Sequence, residues 1–336
     1  MVRKICVLGA GVIGLYSAVR ILEDLQNVDV TIIAEKFTPN NTTDVAAGFW
    51  RPYKMGSTNP SLIRRWGDET FKYLLDIHES PMASKLGINL VSGYWLNSSE
   101  IDPVWKDTVF NLRDLTPEEN KLFPNYTNNK FFTSILVSAS IYMEWLMGRF
   151  ISLGGKVKSK RLVALSEVMS DFDIVVNCCG LGNYQLNNDR KMTPIRGQVI
   201  RVNAPWIKHF YFSDEATKPL YIFPTKNYVV MGGTAQKGNW DTTPNEQDQR
   251  HILDGCARIV PSLKDAEILD TKVGLRPFRE QTRLDQQTIT FNGRSIQVIN
   301  NYGHGGCGLT TFVGCAKDVV AMIREAGAAP WYSARL

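Results

Sequence analysis

The chain has 336 residues, 44% hydrophobic and 21% charged, enough apolar material to bury a large core in one domain or two closely joined ones. Its 38 basic and 33 acidic side chains leave a formal charge of +5, and no run of five like charges marks a nucleic-acid arm, so a polyanionic partner is not indicated. No stretch approaches 18 consecutive apolar residues, and the glycine-interrupted N-terminus lacks a small-residue cleavage site, which argues against export and against a membrane span.

Lys4 to Leu8 is an apolar run of strand length. Leu15, Ala18, Val19 and Leu22 then recur at helical spacing, and Val28 to Ala34 is a second strand-like run. Strand, helix and strand in 35 residues predict the first right-handed βαβ unit of a doubly wound sheet. Between the strand and the helix stands Gly9-Ala10-Gly11-Val12-Ile13-Gly14. Glycines at this spacing allow a tight turn, close approach of a pyrophosphate and tight helix-strand packing, and the helix N-terminus supplies free N–H groups. Glu35 follows 21 residues after Gly14, where a carboxylate can accept hydrogen bonds from a ribose. The motif predicts dinucleotide binding but does not separate FAD from NAD, since both carry the same ADP half.

From Trp50 to Tyr126 the chain is rich in Trp, Tyr, Pro and Asn, with a helical stretch over Ser61 to Ile77, and reads as an insertion. Phe172 to Val176 reads as a buried strand stopping at the turn Asn177-Cys178-Cys179-Gly180-Leu181-Gly182. The segments Gln198 to Val202, Tyr221 to Phe223 and Tyr228 to Met231 suggest an antiparallel sheet. In Gly274-Leu275-Arg276-Pro277-Phe278-Arg279 a guanidinium stands beside apolar and proline residues, suited to gripping a carboxylate through its planar fork, although the segment by itself favours an ordinary surface arginine. Ser295 to Asn300 reads as a strand, Tyr302 to Gly308 as a glycine-rich loop, and Phe312, Ala316, Val319 and Ile323 as one helix face. A second helix N-terminus aimed at the same sheet would suit the electron-rich edge of a reduced flavin, which argues against a nicotinamide-linked dehydrogenase.

His304 reads as a hydrogen-bonded structural group and not as a general base. No Ser-His-Asp spacing and no cluster at metal-ligand intervals appears. The six cysteines contain no C-x-x-C pair, and vicinal Cys178 and Cys179 bridge only with strain, so a reduced interior is expected. The final Ala334-Arg335-Leu336 has the small, basic, leucine pattern of a peroxisomal address, which would be read by an import receptor. Self-association as a homodimer is left open.

The segments GAGVIGL at 9–15, KFTPNNTTDVAAGFWRPY at 36–53, WKDTV at 105–109, DIVVNCCGLG at 173–182, RGQV at 196–199, APWIKHF at 204–210, GLRPFR at 274–279 and NYGHGGCGLT at 301–310 together resemble the animal-type D-amino-acid and D-aspartate oxidases. The resemblance runs through nearly the whole chain. It implies an α/β fold in which a Rossmann-like FAD-binding domain (1–48, 145–195 and 285–328) is interleaved with an α+β substrate domain built on an antiparallel sheet (49–144 and 196–284), followed by a tail (329–336). It implies FAD as cofactor, with Gly9, Ala10, Gly11, Val12, Ile13, Gly14, Glu35, Lys36, Thr42, Thr43, Ala47, Gly48, Phe49, Leu162 and Cys179 along the dinucleotide and Gly305, Gly306, Gly308, Leu309 and Thr310 at the flavin. Arg276 matches the arginine that clamps the substrate carboxylate, and Tyr221 a tyrosine that shares the grip. Tyr53, Arg51 and Gly306 complete the substrate-binding set.

The implied reaction is hydride transfer from Cα to flavin N5 with oxygen as second substrate, giving a 2-oxo acid, ammonia and hydrogen peroxide. Geometry then replaces proton shuttling, and no protein acid or base is required. D-Aspartate oxidases as a pattern carry histidine where this chain has Tyr53, serine where it has Gly306, and arginines where it has Phe212 and Ala235, so the resemblance favours neutral D-amino acids. The segment Gly232 to Gly238 and the short stretch between His209 and Tyr221 are closer to the aspartate branch, and that short stretch lacks the second lid tyrosine of mammalian neutral-substrate oxidases. A dehydrogenase and a non-catalytic nucleotide-binding module are the competing classes.

Overall fold

The computed structural model describes residues 2–99, 102–214, 218–291 and 293–328; the C-terminal tripeptide lies outside them. Arg3–Leu8 pairs in parallel with Val28–Ala34 on one side and Ile174–Asn177 on the other, and the helix Val12–Asp24 makes the crossover. Alternation along the first strand explains its burial on both faces. Ile5 and Val7 point into the main core with the helices Val12–Asp24 and Gly308–Ala328, whereas Cys6 and Leu8 join Val175, Ile296 and Val298 in a second core on the opposite face. The parallel half runs from Lys156–Ser159 through these strands to Arg294–His304.

The same sheet then turns antiparallel. Glu267–Phe291 links Arg294–His304 to Thr193–Asn203, and Val229–Gly232, Leu220–Pro224 and Phe210–Ser213 follow in order. The outer wing is Ile88–Leu96, Lys130–Val137 and Phe110–Asp114. Residues 50–126 are therefore not a separate insertion: they continue the sheet outwards. Their half-buried strands carry mixed aromatic and polar residues, which hides the apolar run expected of a fully buried strand.

The helix Pro60–His78, starting at the Asn59 cap, packs on Gly308–Ala328, where Arg65 and the Trp66 indole both donate to Asp318 at 2.7–2.8 Å. Tyr302, Gly303 and His304 belong to the strand Arg294–His304, and only Gly305 to Cys307 form the turn before the last helix. Backbone pairing with Glu267–Phe291 extends the strand past the point where glycine suggests a loop. Among the described residues no helix is long and apolar enough to cross a membrane, and all six cysteines are free.

Candidate active site

A cavity of about 860 Å³ lies across the sheet. At one end it is lined by Gly9, Ala10, Gly11, Val12, Ile13, Glu35, Lys36, Thr42, Thr43 and Leu162, and beside them by Ala47, Gly48, Phe49 and Cys179. Gly305 and Gly306 line it from the turn and Gly308, Leu309 and Thr310 from the start of the last helix, and Tyr221 and Arg276 line it from the antiparallel strands with Arg51 and Tyr53 from the segment that follows Phe49. One sequence-predicted residue falls outside this lining. Gly14 sits beneath the turn, where an added Cβ would lie 2.1 Å from the Gly9 carbonyl oxygen, so its place is in the packing of the helix against the turn and not in the cavity wall.

The first end is built from backbone. Gly9 has φ +96°, and a Cβ there would stand 2.5 Å from the Cys178 carbonyl oxygen, which makes the turn specific to glycine. At Gly11 an added Cβ would meet only the Thr43 hydroxyl, so the chain leaves open space above the helix N-terminus. The helix Val12–Asp24 has no side-chain cap at Gly11 and no acidic residue in its first turn. Thr43 Oγ1 accepts from Val12 N at 3.2 Å, and the remaining first-turn donors and the positive end of the helix dipole are left for an anion. Glu35 stands at the end of the second strand, 3.8 Å from Arg161, both more than half exposed. A pyrophosphate and ribose fit this donor and acceptor set.

The second end is built from side chains. Arg276 projects from Glu267–Phe291 opposite Ile195, and its Nη1 donates to the Thr234 carbonyl at 3.0 Å. A Cβ at Gly197 would lie 2.4 Å from Arg276 Nη1, so this glycine makes room for the guanidinium. Tyr221 stands opposite Gly232 in the antiparallel ladder, and its ring covers Gly232 and Gly233, where added Cβ atoms would meet it at 2.0 and 2.7 Å. Phe223 stacks on Tyr221 at 5.0 Å and on Phe49 at 4.6 Å, and Phe212 closes the box at 5.7 Å from Phe49. Gly197, Gly232, Gly233 and Phe223 were not singled out from sequence as site residues. Only the glycine in RGQV and the paired glycines of Gly232 to Gly238 gave any signal.

The phenols at this end are neutral donors. Burial pushes the Tyr221 hydroxyl up to about 12, and raises Tyr53 as well against the pull of Arg276 and Arg51. The Tyr53 hydroxyl is buried with no protein partner among the described residues, although a buried phenol ordinarily finds one; a ligand group is the partner the geometry leaves room for. Tyr53 also occupies the space beside Gly306, where an added Cβ would meet its ring at 2.7 Å. The expectation for His304 changes in one respect. It is buried, its Nε2 has no hydrogen-bond partner among the described residues, and desolvation lowers its pKa to about 3, so it is a neutral ring at working pH. Among the described residues the only carboxylates lining the cavity are Glu35 and Asp214, and Asp214 is held by Arg51 at 2.6 and 2.8 Å.

A dinucleotide cradle opening onto an arginine-floored aromatic box is the site of a flavin-dependent oxidoreductase. The sequence profile of the FAD dependent oxidoreductase family matches residues 4–322, and the chain belongs to that family: it is an oxidoreductase with FAD as cofactor. It is 39% identical over 325 residues to the D-aspartate oxidase of Homo sapiens, covering 96% of this chain and 95% of that one. It is 38% identical over 328 residues to the D-amino acid oxidase of Dugesia ryukyuensis, covering 96% and 97% respectively. The glycine oxidase of Geobacillus kaustophilus shares the fold, with a TM-score of 0.75 at 17% identity over 96% of this chain and 95% of that one.

Proposed function

We propose that this enzyme oxidatively deaminates D-amino acids, with neutral side chains preferred, to 2-oxo acids, ammonia and hydrogen peroxide. The observation that carries the reading is Arg276, fixed against the Thr234 carbonyl with Gly197 and Tyr221 around it, at the floor of the aromatic box. Its guanidinium holds the α-carboxylate through charge-assisted hydrogen bonds, and the neutral Tyr221 and Tyr53 phenols add donors. Phe49, Phe212 and Phe223 exclude water and strengthen that grip by lowering the local dielectric. FAD, when bound, supplies the acceptor that takes a hydride from Cα and returns the electrons to oxygen as peroxide. The residues of this chain orient Cα and move no proton; the imino acid released hydrolyses in water. The D-specific names of the human and Dugesia relatives support the stereochemistry.

Preference for neutral side chains rests on Tyr53, which fills the space beside Gly306, and on Arg51, whose charge Asp214 already neutralises. The acidic reading draws support from the human relative and from the presence of Arg51 in the cavity. The Ala334-Arg335-Leu336 tail supports delivery to peroxisomes by an import receptor, and removing it should leave a fluorescently tagged protein outside the organelle. The test of the main reading is anaerobic bleaching of the yellow holoenzyme. D-Alanine should bleach it, L-alanine should not, and admitted air should restore the colour with peroxide formation. Bleaching by neither D-alanine nor D-aspartate would overturn the reading.

A further inference from the structure

Two guanidiniums flank one phenol in the cavity: Arg276 Cζ lies 5.9 Å and Arg51 Cζ 5.1 Å from the centre of the Tyr53 ring. Arg51 is set in an aromatic slot, 4.4 Å from the centre of the Phe212 ring and 5.9 Å from that of Trp95, with its side chain only 12% exposed. A guanidinium so stripped of water needs a carboxylate partner. Asp214, at the end of the strand Phe210–Ser213, supplies it from within the chain: both carboxylate oxygens accept from the Arg51 fork, and the Trp95 indole donates to Oδ2 at 2.9 Å. The Asp214 side chain is 24% exposed, so the carboxylate forms the outer member of the pair and the guanidinium the inner one.

We propose that Asp214 is a resident occupant of a second carboxylate-binding site centred on Arg51, and that this occupancy sets the enzyme against acidic side chains. The inference rests on the substrate reading above and names the residue that sets its specificity. With Arg276 on the α-carboxylate, the side chain of a short dicarboxylic amino acid would extend past Tyr53 towards Arg51. There it meets a fork already filled, and a like charge beside it. Neutral side chains meet Phe212, Tyr53 and an ion pair with no net charge. Removing the aspartate charge leaves Arg51 without a partner and turns the same slot into a receptor for a second carboxylate.

The experiment compares wild type, Asp214→Asn and the double variant Arg51→Gln/Asp214→Asn as holoenzymes, with Asp214→Ser as a second single variant. Two quantities are measured: the ratio of kcat/KM for D-glutamate to that for D-alanine, and the affinity for glutarate against propionate from perturbation of the flavin absorbance. Both should rise about tenfold or more in Asp214→Asn and Asp214→Ser, the scale of one charge-assisted pair, and fall back in the double variant. Unchanged ratios in the single variants would overturn the proposal. So would a wild type that already prefers glutarate and loses that preference on Arg51→Gln. If no D-amino acid were turned over at all, the substrate reading would fail, while the glutarate titration would still decide the role of Asp214.

Discussion

The two ends of the cavity are made of different material. The dinucleotide end is centred on one stretch of chain, Gly9 to Gly14, whose turn and helix N-terminus are set by local backbone geometry, with Glu35, Thr43 and Leu162 added from other segments. The substrate end draws its side chains from Thr193–Asn203, Phe210–Ser213, Leu220–Pro224 and Glu267–Phe291 and from the segment Phe49 to Tyr53. At the first, Gly9 and Gly14 tolerate no added Cβ because backbone already fills the space; the second holds its geometry by rings and an arginine packed against glycines. Binding that relies on backbone shape suits a cofactor shared by a whole family, and binding that relies on side chains can be retuned one residue at a time.

Substitutions at each end should separate these two modes. The largest effect is expected at the backbone end: Gly9→Ala places a Cβ against the Cys178 carbonyl at positive φ and should weaken FAD binding on the order of 100-fold in fluorescence titrations of the apoprotein. FAD retained at wild-type affinity would remove the distinction. Arg276→Ala should leave the flavin spectrum intact and raise KM for every substrate by roughly 100-fold, since it deletes the clamp on the carboxylate all of them share. A KM unchanged in steady-state assays would rule that clamp out.

A smaller and more diagnostic change is Gly197→Ala. Gly197 has no side chain of its own to offer a ligand, yet the added methyl group must displace the Arg276 guanidinium, so KM should rise about tenfold with FAD affinity unaltered. A loss of flavin instead would show that the two ends are not independent.

The last effect is on stability and not on binding. His304 is protonated in the unfolded chain near pH 6.5 but stays neutral in the fold down to about 3. Between those values the unfolded state binds the extra proton, and stability falls with falling pH by about 1.4 kcal/mol per pH unit. Urea midpoints of wild type and His304→Asn at pH 7.5 and pH 5 should differ in slope, with the variant flatter; parallel slopes would assign the acid limb to other groups.

How much of this was legible depends on sequence distance. The first βαβ unit and its glycine turn follow from consecutive residues, and the antiparallel pairing of Leu220–Pro224 with Val229–Gly232 from nearby ones. The role of Gly14 was less plain, because a glycine beneath a turn and one lining it have the same spacing. The outer strands of residues 50–126 were missed because their half-buried positions lack a clean apolar period. Asp214 carries no motif of its own, and the segments around Gly197 and Thr234 gave no more than their glycines as a signal.

By itself the sequence determined that the chain opens with a strand, a glycine turn and a helix able to hold a dinucleotide, and that an arginine stands beside apolar and proline residues near its end. Hydrogen-bonding geometry and backbone sterics act over a few residues, so such features are written locally. Tertiary structure alone decided that Arg276 rests on Thr234 beside Gly197, that Tyr53 fills the space next to Gly306, and that Asp214 sits in the fork of Arg51. Those contacts join segments up to roughly 250 residues apart, and only the pairing of strands in one continuous sheet brings them within reach of each other.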